Sequence, residues 1–177
     1  MDTLEIHIKI VIQGDDVNGF THMDEKGNVR MVDVTDKEVT DRRAVAGGTI
    51  TMNPDTFDKV INNTARKGNV LETARIAGIL AAKQTHALIP MCHPLNIRHV
   101  QLDFHPDKKN TAIHIEALVR VSDRTGVEME AMTAVSIAAL TIYDMCKSYD
   151  KTMIISDIRL LEKSGGKSGT FIRDKSM

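Results

Sequence analysis

The stretch GVEMEA at residues 126–131 leads into an almost wholly apolar segment that ends in DMCK at residues 144–147. The middle of this segment, residues 134–143, has almost no polar face, so we expect a long helix that is covered on both sides. An apolar core excludes charge unless that charge is paired or used. Asp144 and Lys147 are three residues apart at the end of this helix and therefore indicate a candidate functional site.

The same spacing is also typical of an ordinary ion pair near a helix carboxyl terminus, where lysine is favoured by the helix dipole. Spacing alone does not separate the two interpretations. A protected setting would favour the functional one, because a carboxylate close to an amine sets the pKa values of both groups.

Hydrophobic periodicity outward from this helix predicts an α+β fold, with helices packed on a largely antiparallel sheet. The expected order is strand, helix, helix, strand, strand, helix, strand. Asn53 followed by Pro54 is a helix start, with a capping side chain and proline at the first helical position. The predicted strands are Ala44–Met52, Val100–Phe104, Ile113–Val121 and Met153–Leu161; the predicted helices are Pro54–Ala65, Asn69–Lys83 and Met129–Ser148.

Composition excludes several classes of protein. The chain has 177 residues, enough for one domain, and a formal net charge of −1, which does not favour a nucleic-acid or anionic membrane surface. Leu4, Ile6, Ile8 and Ile10 alternate with polar residues, which is typical of a strand and not of a signal peptide. We expect a cytoplasmic protein in which Cys92 and Cys146 are reduced.

Two basic segments could hold an anion. Lys67-Gly68-Asn69 opens a predicted helix, whose free N–H groups favour anions, although a solvated junction has the same sequence. Lys163 and Lys167 flank a glycine-rich turn that could form an anion nest or a mobile tail. It is not a phosphate-binding loop, because the first glycine of that motif would fall at Leu161.

Histidines and cysteines give no metal-binding pattern. The seven histidines follow no ligand spacing, so we expect no metal site. Cys92 and His93 are adjacent and would point to opposite sides of an extended chain, which disfavours a catalytic dyad. We interpret His93 as a hydrogen-bonding group at a pocket turn. Arg42 could join that pocket if the preceding polar loop folds over it.

Seven segments in order resemble the cyclic pyranopterin monophosphate synthase (MoaC) family of molybdenum cofactor biosynthesis, from about Phe20 to Gly169. They are MVDVTDK (31–37), KGNV (67–70), ARIAGI (74–79), LIPMCHPL (88–95), TGVEMEA (125–131), LTIYDMCK (140–147) and KSGGKSG (163–169).

This resemblance implies a ferredoxin-like fold, a homohexamer built as a trimer of dimers, and active sites at subunit boundaries. It implies a lyase that converts (8S)-3′,8-cyclo-7,8-dihydroguanosine 5′-triphosphate to cyclic pyranopterin monophosphate and releases pyrophosphate. No cofactor is implied, although Mg²⁺ could accompany the triphosphate. The catalytic residues carry over to Lys67, Asp144 and Lys147. The substrate-contacting residues carry over to Arg42, Met91, Cys92, His93, Glu128, Met129, Glu130 and Lys163.

Two expectations and one alternative complete this interpretation. Lys67, Lys147 and Lys163 crowded in one pocket would lower the pKa of an amine, which could then act as a base. Residues 1–18 precede the family pattern and are expected to be a dispensable extension, with residues 19–177 forming a single domain. The alternative function is a non-catalytic nucleotide-binding module. An RNA-binding domain is disfavoured because Phe104 is the only aromatic residue on the two central strands.

Overall fold

The computed structural model describes residues 28–174, which contain a five-stranded antiparallel sheet and four helices. The strand order is β2-β3-β1-β4-β5. The elements, in chain order, are β1 Thr40–Thr51, α1 Pro54–Ile61, α2 Val70–Lys83, α3 Thr85–Leu88, β2 His99–Asp107, β3 Ala112–Asp123, α4 Glu128–Cys146, β4 Ile154–Ser164 and β5 Phe171–Ile172. With α2 and α4 as the crossover helices, β1 to β4 have the ferredoxin-like βαββαβ topology, and the predicted fold class is confirmed.

The chain divides into two compact units, Met1–Val32 and Asp33–Met177. Every element named above belongs to the second unit. The strand-like alternation at residues 4–10 lies outside the described residues. The division predicted between residues 18 and 19 therefore stays a prediction.

Helix α4 is the centre of the core, as its sequence predicted. Ten of its residues are buried, and it packs against α2 and three strands of the sheet. Among the described residues, α4 is long and apolar enough to cross a bilayer by length and composition. Its packing on the sheet and against the neighbouring α2 accounts for that apolar character.

Two glycines allow the close packing of α4. A Cβ atom at Gly48 in β1 would lie 2.6 Å from a Val135 methyl carbon. A Cβ atom at Gly78 in α2 would lie 2.8 Å from the Ala134 carbonyl oxygen. Glycine weakens strand and helix propensity, as expected for residues 47 and 48, but here it lets the backbones approach.

Most predicted elements are confirmed, with differences at their ends. Helix α1 ends at Ile61 rather than near Ala65, because Asn62 caps it and Asn63 has a left-handed φ of 54°. Strand β1 begins at Thr40 rather than Ala44, since its first four residues pair with the end of β3. The short α3 and β5 were not predicted.

The start of α1 is held by the buried carboxylate of Asp150, which follows the end of α4 in the chain. Asn53 caps α1 as predicted, accepting a hydrogen bond from the Thr56 amide. The Asn53 amide in turn donates to Asp150 at 2.8 Å. Asp150 is buried and also accepts from the amide and hydroxyl of Thr152. These hydrogen bonds, first the one from Asn53, lower the pKa of Asp150 below its usual value of 3.8.

We expect Asp150→Ala to lower the free energy of unfolding at pH 7 by about 2 kcal/mol, because two amides lose their acceptor. Because the pKa of Asp150 is lowered in the folded protein, its contribution to the free energy of unfolding is complete above about pH 4 and is lost as the pH falls further. Urea denaturation at pH 7 and pH 3 should therefore show a difference that shrinks in acid. The exposed Asp58→Ala is the control, with an expected change below about 0.5 kcal/mol. Equal losses in both variants at pH 7 would contradict this role.

Candidate active site

Lys67, Asp144 and Lys147, which are far apart in sequence, form one ion-pair cluster. The Lys147 Nζ lies 2.6 Å from Asp144 Oδ1, and the Lys67 Nζ lies 3.3 Å from Asp144 Oδ2. Lys67 also donates to the Asp144 carbonyl oxygen at 2.9 Å. The predicted proximity of these three side chains is thus met within one protomer. Each remains about half exposed, so the cluster lies at the surface of the single chain.

The loop before α2 places Lys67 at the end of α4. Ala65 is buried, and the Arg66 amide donates to the Tyr149 hydroxyl at 2.7 Å. Asn69 caps α2 by accepting from the Glu72 amide. The helix start is therefore capped by its own side chain, while the Lys67 ammonium turns toward Asp144. Sequence reasoning did not identify Tyr149 as a residue that positions this loop.

The cluster is electrostatically complementary. Hydrogen bonds from Lys147 and then Lys67 lower the pKa of Asp144, and their positive charges act in the same direction. The hydrogen bond from Asp144 raises the pKa of Lys147. At neutral pH the cluster therefore holds one carboxylate and a protonated Lys147.

Within one protomer the three lysines are not crowded together, so the expectation that crowding lowers the pKa of an amine stays a prediction. The pKa of Lys147 is raised by its carboxylate partner. Lys163 is not a member of the cluster, because its Nζ pairs with Glu128 Oε1 at 3.0 Å. Within one protomer, a carboxylate thus offsets the repulsion that the lysines alone would produce.

A second group of predicted residues surrounds a cavity at the amino-terminal end of α4. The cavity has a volume of about 780 Å³, and Arg42, Glu128 and Lys163 line it. The Arg42 guanidinium donates to the carbonyl oxygens of Asp123 and Arg124, both at 2.9 Å. These bonds fix Arg42, and no carboxylate within residues 28–174 forms an ion pair with it. A loop of polar residues, 36–38, does line this pocket, as anticipated for Arg42.

The glycine-rich turn forms part of the cavity wall. Gly165 has a φ of +94°, and a Cβ atom there would lie 2.2 Å from the Asp41 carbonyl oxygen, so only glycine fits. The Lys163 Nζ lies 3.1 Å from the Ser168 hydroxyl, which closes the turn. Lys167 also lines the cavity. The sequence left open whether this turn forms an anion nest or a mobile tail. Its placement in the cavity wall, with Lys163 and Lys167, favours the anion nest.

Glu130 is a buried carboxyl beside the turn that carries Cys92. Its side chain is only 3% exposed. Burial, with a smaller contribution from the Glu128 charge, raises the pKa of Glu130 to about 7. Burial also raises the pKa of the Cys92 thiol, and the nearby Glu130 carboxylate adds to that effect. Glu130 can therefore exchange a proton near neutral pH, whereas Cys92 stays a thiol.

Three other predicted contacts lie near this region. Met91 and His93 flank Cys92 and are partly buried, and Met129 is 38% exposed beside Glu130 in the chain. Hydrogen bonds from Thr35 lower the pKa of Asp33, with a smaller contribution from the nearby His93. The structure thus gives His93 a polar environment, and its substrate role stays a prediction.

The two groups lie at opposite ends of one helix. Glu128 and Asp144 are sixteen residues apart on α4, which corresponds to about 24 Å at 1.5 Å per residue. The structure therefore brings Lys67, Asp144 and Lys147 together, and separately gathers the cavity residues. It does not bring the two sets together within one protomer.

Lys37 and Arg124 line the cavity but were not among the predicted site residues. The Arg124 Nε donates to the Lys37 carbonyl oxygen at 2.8 Å, so the two residues link the polar loop to the segment before α4. Sequence reasoning did not single out Arg124. Its position directly before the Thr125-Gly126 segment was the available signal.

Metal binding was not expected. Among residues 28–174, histidine, cysteine and carboxylate side chains form no group of three or more that could hold a metal ion. The absence of a metal site stays a prediction for the whole chain.

Comparison with known proteins identifies the family. The family model described as the MoaC family matches residues 31–166. Proteins named cyclic pyranopterin monophosphate synthase are similar over 88–89% of this chain. That of Desulforapulum autotrophicum is 64% identical, with 96% of its length covered. Those of Desulfatibacillum aliphaticivorans and Magnetococcus marinus are 61% and 56% identical, with 98% and 97% covered.

We expect Glu130→Gln to flatten the pH dependence of stability. Because the pKa of Glu130 is raised from 4.5 to about 7 in the folded protein, its favourable contribution is complete below about pH 4.5 and is lost as the pH rises to 7. Between pH 5 and pH 8, the wild-type free energy of unfolding should therefore fall by about 2.5 kcal/mol more than that of the variant. Urea denaturation measures both slopes.

The matched control for this experiment is Glu116→Gln, since Glu116 is exposed on β3. It should keep the wild-type slope. Identical slopes in wild type and Glu130→Gln would contradict the burial argument.

Proposed function

Because this chain belongs to the MoaC family, we propose that it synthesises cyclic pyranopterin monophosphate, a step of molybdenum cofactor biosynthesis. The enzyme is a lyase. Its substrate is (8S)-3′,8-cyclo-7,8-dihydroguanosine 5′-triphosphate, and its second product is pyrophosphate. The observation that carries the proposal for this chain's own residues is the convergence of Lys67 and Lys147 on Asp144.

The reaction needs two kinds of help. Opening a purine-derived ring and rebuilding it as a pterin moves protons at several steps, which requires positioned acids and bases. Closing a cyclic phosphate with loss of pyrophosphate requires cations near the phosphates. The two groups of residues at the ends of α4 match these two requirements.

In the proton-transfer group, Asp144 is the positioning carboxylate. Its lowered pKa keeps it ionised at neutral pH, so it holds the ammonium groups of Lys67 and Lys147 in fixed places. Lys147 then stays protonated, since its pKa is raised, and can contact the substrate as an ammonium ion. A base must be deprotonated at working pH, and Glu130, with a pKa of about 7, meets that condition. Glu130 lies in the first turn of α4, so it would act with this group where a second protomer brings that end of the helix to the cluster.

In the phosphate-binding group, the cavity residues supply cationic contacts. Arg42, Lys163 and Lys167 surround a space of about 780 Å³, which is within the range of small-molecule sites. The Lys163–Glu128 pair would open as a phosphate takes over the ammonium group. Neither part needs a resident cofactor, and any Mg²⁺ would enter with the triphosphate.

A complete site is proposed to form between two protomers, because about 24 Å of α4 separates the two groups within one chain. Apolar side chains remain exposed on the outer sides of α2 and α4, among them Ile76, Leu80 and Leu140, which are 53–60% exposed. Such surfaces suit burial by another subunit. We propose a homohexamer, built as a trimer of dimers, with active sites at the subunit boundaries.

We propose a cytoplasmic location, as expected for a biosynthetic enzyme of this family. The formal charge of −1 offers no general attraction for nucleic acid or anionic lipid. The small-molecule substrate is the partner that this chemistry requires.

Lys67→Ala and Asp144→Asn are each expected to lower turnover at least about 100-fold, because each removes a charge from the proton-transfer group. Both residues are exposed in the protomer, so folding should be retained, as monitored by circular dichroism. Pyrophosphate release from the cyclised substrate measures turnover. Lys108→Ala, a charge removal in the β2–β3 hairpin, is the control with unchanged turnover. A folded variant with a near-wild-type rate would remove that residue from the catalytic set, and wild type without any release would favour the binding-module alternative.

Subunit mixing tests the shared site. Lys67→Ala and Lys163→Ala should each be inactive alone. A 1:1 mixture after subunit exchange should recover about one quarter of wild-type turnover, because half of the dimers are mixed and each contains one intact site. Exchange is followed by native mass spectrometry with one variant isotopically labelled. Mixed dimers that remain inactive would contradict a site shared in this way.

A further inference from the structure

A row of cationic side chains crosses three strands on the sheet face opposite the helices. Ala44, Val119 and Val100 alternate with this row and point toward the core side. In the register of the sheet, Arg43 lies opposite Arg120, and Arg120 lies opposite His99. Cross-strand partners point to the same face, so these three side chains are direct neighbours.

This row borders a hollow of about 440 Å³ on the open face. Its lining includes four arginines, one histidine and a single carboxylate, namely Arg42, Arg43, Arg98, His99, Arg120 and Asp41. The hollow is therefore strongly basic although the whole chain carries a net charge of −1. We call Arg98, His99 and Arg120, with Arg43, the open-face arginine cluster.

Two guanidinium groups of the open-face arginine cluster have no compensating partner among the described residues. Arg43 is paired with Glu162, and Arg42 is held by backbone carbonyl groups. Within residues 28–174, by contrast, the side chains of Arg98 and Arg120 make no hydrogen bond or ion pair. Both residues are exposed, so a ligand can reach them.

Like charges directly opposite each other on neighbouring strands destabilise a sheet. A local arrangement that opposes stability without a visible compensation is typical of a functional surface. Guanidinium groups bind phosphate oxygens in a bidentate manner, which a lone ammonium group cannot do. We propose that the open-face arginine cluster is an anion site that binds an oligophosphate such as pyrophosphate.

The position of the hollow gives the anion two sources. The hollow and the cavity at the start of α4 share Arg42, Arg43 and Ser164 in their linings, so they are neighbours where β1 begins and β4 ends. The oligophosphate could be free pyrophosphate, or it could be the phosphate tail of a bound substrate. The second source rests on the proposed function, whereas the first does not.

The test uses His99 as a local reporter in the full-length protein. Side-chain NMR resonances of the histidines are recorded while inorganic pyrophosphate is added, and His99 is assigned with His99→Gln. We expect a saturable shift of the His99 ring resonance, and no shift at His105, which lies at the far end of the same strand. Arg98→Gln and Arg120→Gln should each weaken the response about tenfold, while Lys108→Gln leaves it unchanged. Circular dichroism checks that each variant is folded.

A His99 resonance that does not move in wild type would overturn the proposal, whatever the variants do. A response that is the same in folded Arg98→Gln, Arg120→Gln and wild type would also overturn it. The sources are separated by steady-state kinetics: an unchanged KM for substrate in Arg120→Gln identifies free pyrophosphate, and a raised KM with unchanged kcat identifies the substrate tail. Since the NMR readout needs no turnover, it stands even if the proposed function fails.

Discussion

Helix α4 packs on the sheet and against the neighbouring α2 along small side chains, and this close packing fixes the position of both its ends. Val135 occupies the space that a side chain at Gly48 would fill, and the Ala134 backbone approaches Gly78. Interiors packed to this density leave little freedom for an element to shift. Because α4 cannot move, the charged residues at its two ends are held in fixed places.

The first turn and the carboxyl-terminal cap of α4 carry side chains of opposite charge, in the arrangement that the helix dipole favours. Glu128 and Glu130 lie in the first turn, and Lys147 is the carboxyl-terminal cap. The same residues therefore stabilise the helix and serve as candidate functional groups. The difference in burial between the carboxyl groups at the two ends then gives them different pKa values. Glu130 is buried and has a pKa raised to about 7, whereas Asp144 is exposed, ion-paired and has a lowered pKa.

Periodicity predicted the elements because burial on one face leaves a pattern that local sequence records. It placed α2 from Asn69 to Lys83, against an observed Val70–Lys83, and it placed the cap at Asn53 correctly. It failed at the beginning of β1, where residues 40–43 read as polar loop. Their strand conformation comes from pairing with the end of β3, which is distant in sequence. The short β5 has the same origin, since it exists only by pairing with β4.

The sequence by itself determined the fold class, the long core helix, the family and the identity of the residues that carry charge. These follow from the order of apolar and polar residues and from motifs that are local in the chain. Only the tertiary structure decided which charges meet. It paired Lys163 with Glu128 rather than with the Lys67–Asp144–Lys147 cluster, and it joined Lys67 to α4 through Tyr149. It also set the cationic residues of β1, β2 and β3 side by side, because strand register is a long-range property that no local pattern contains.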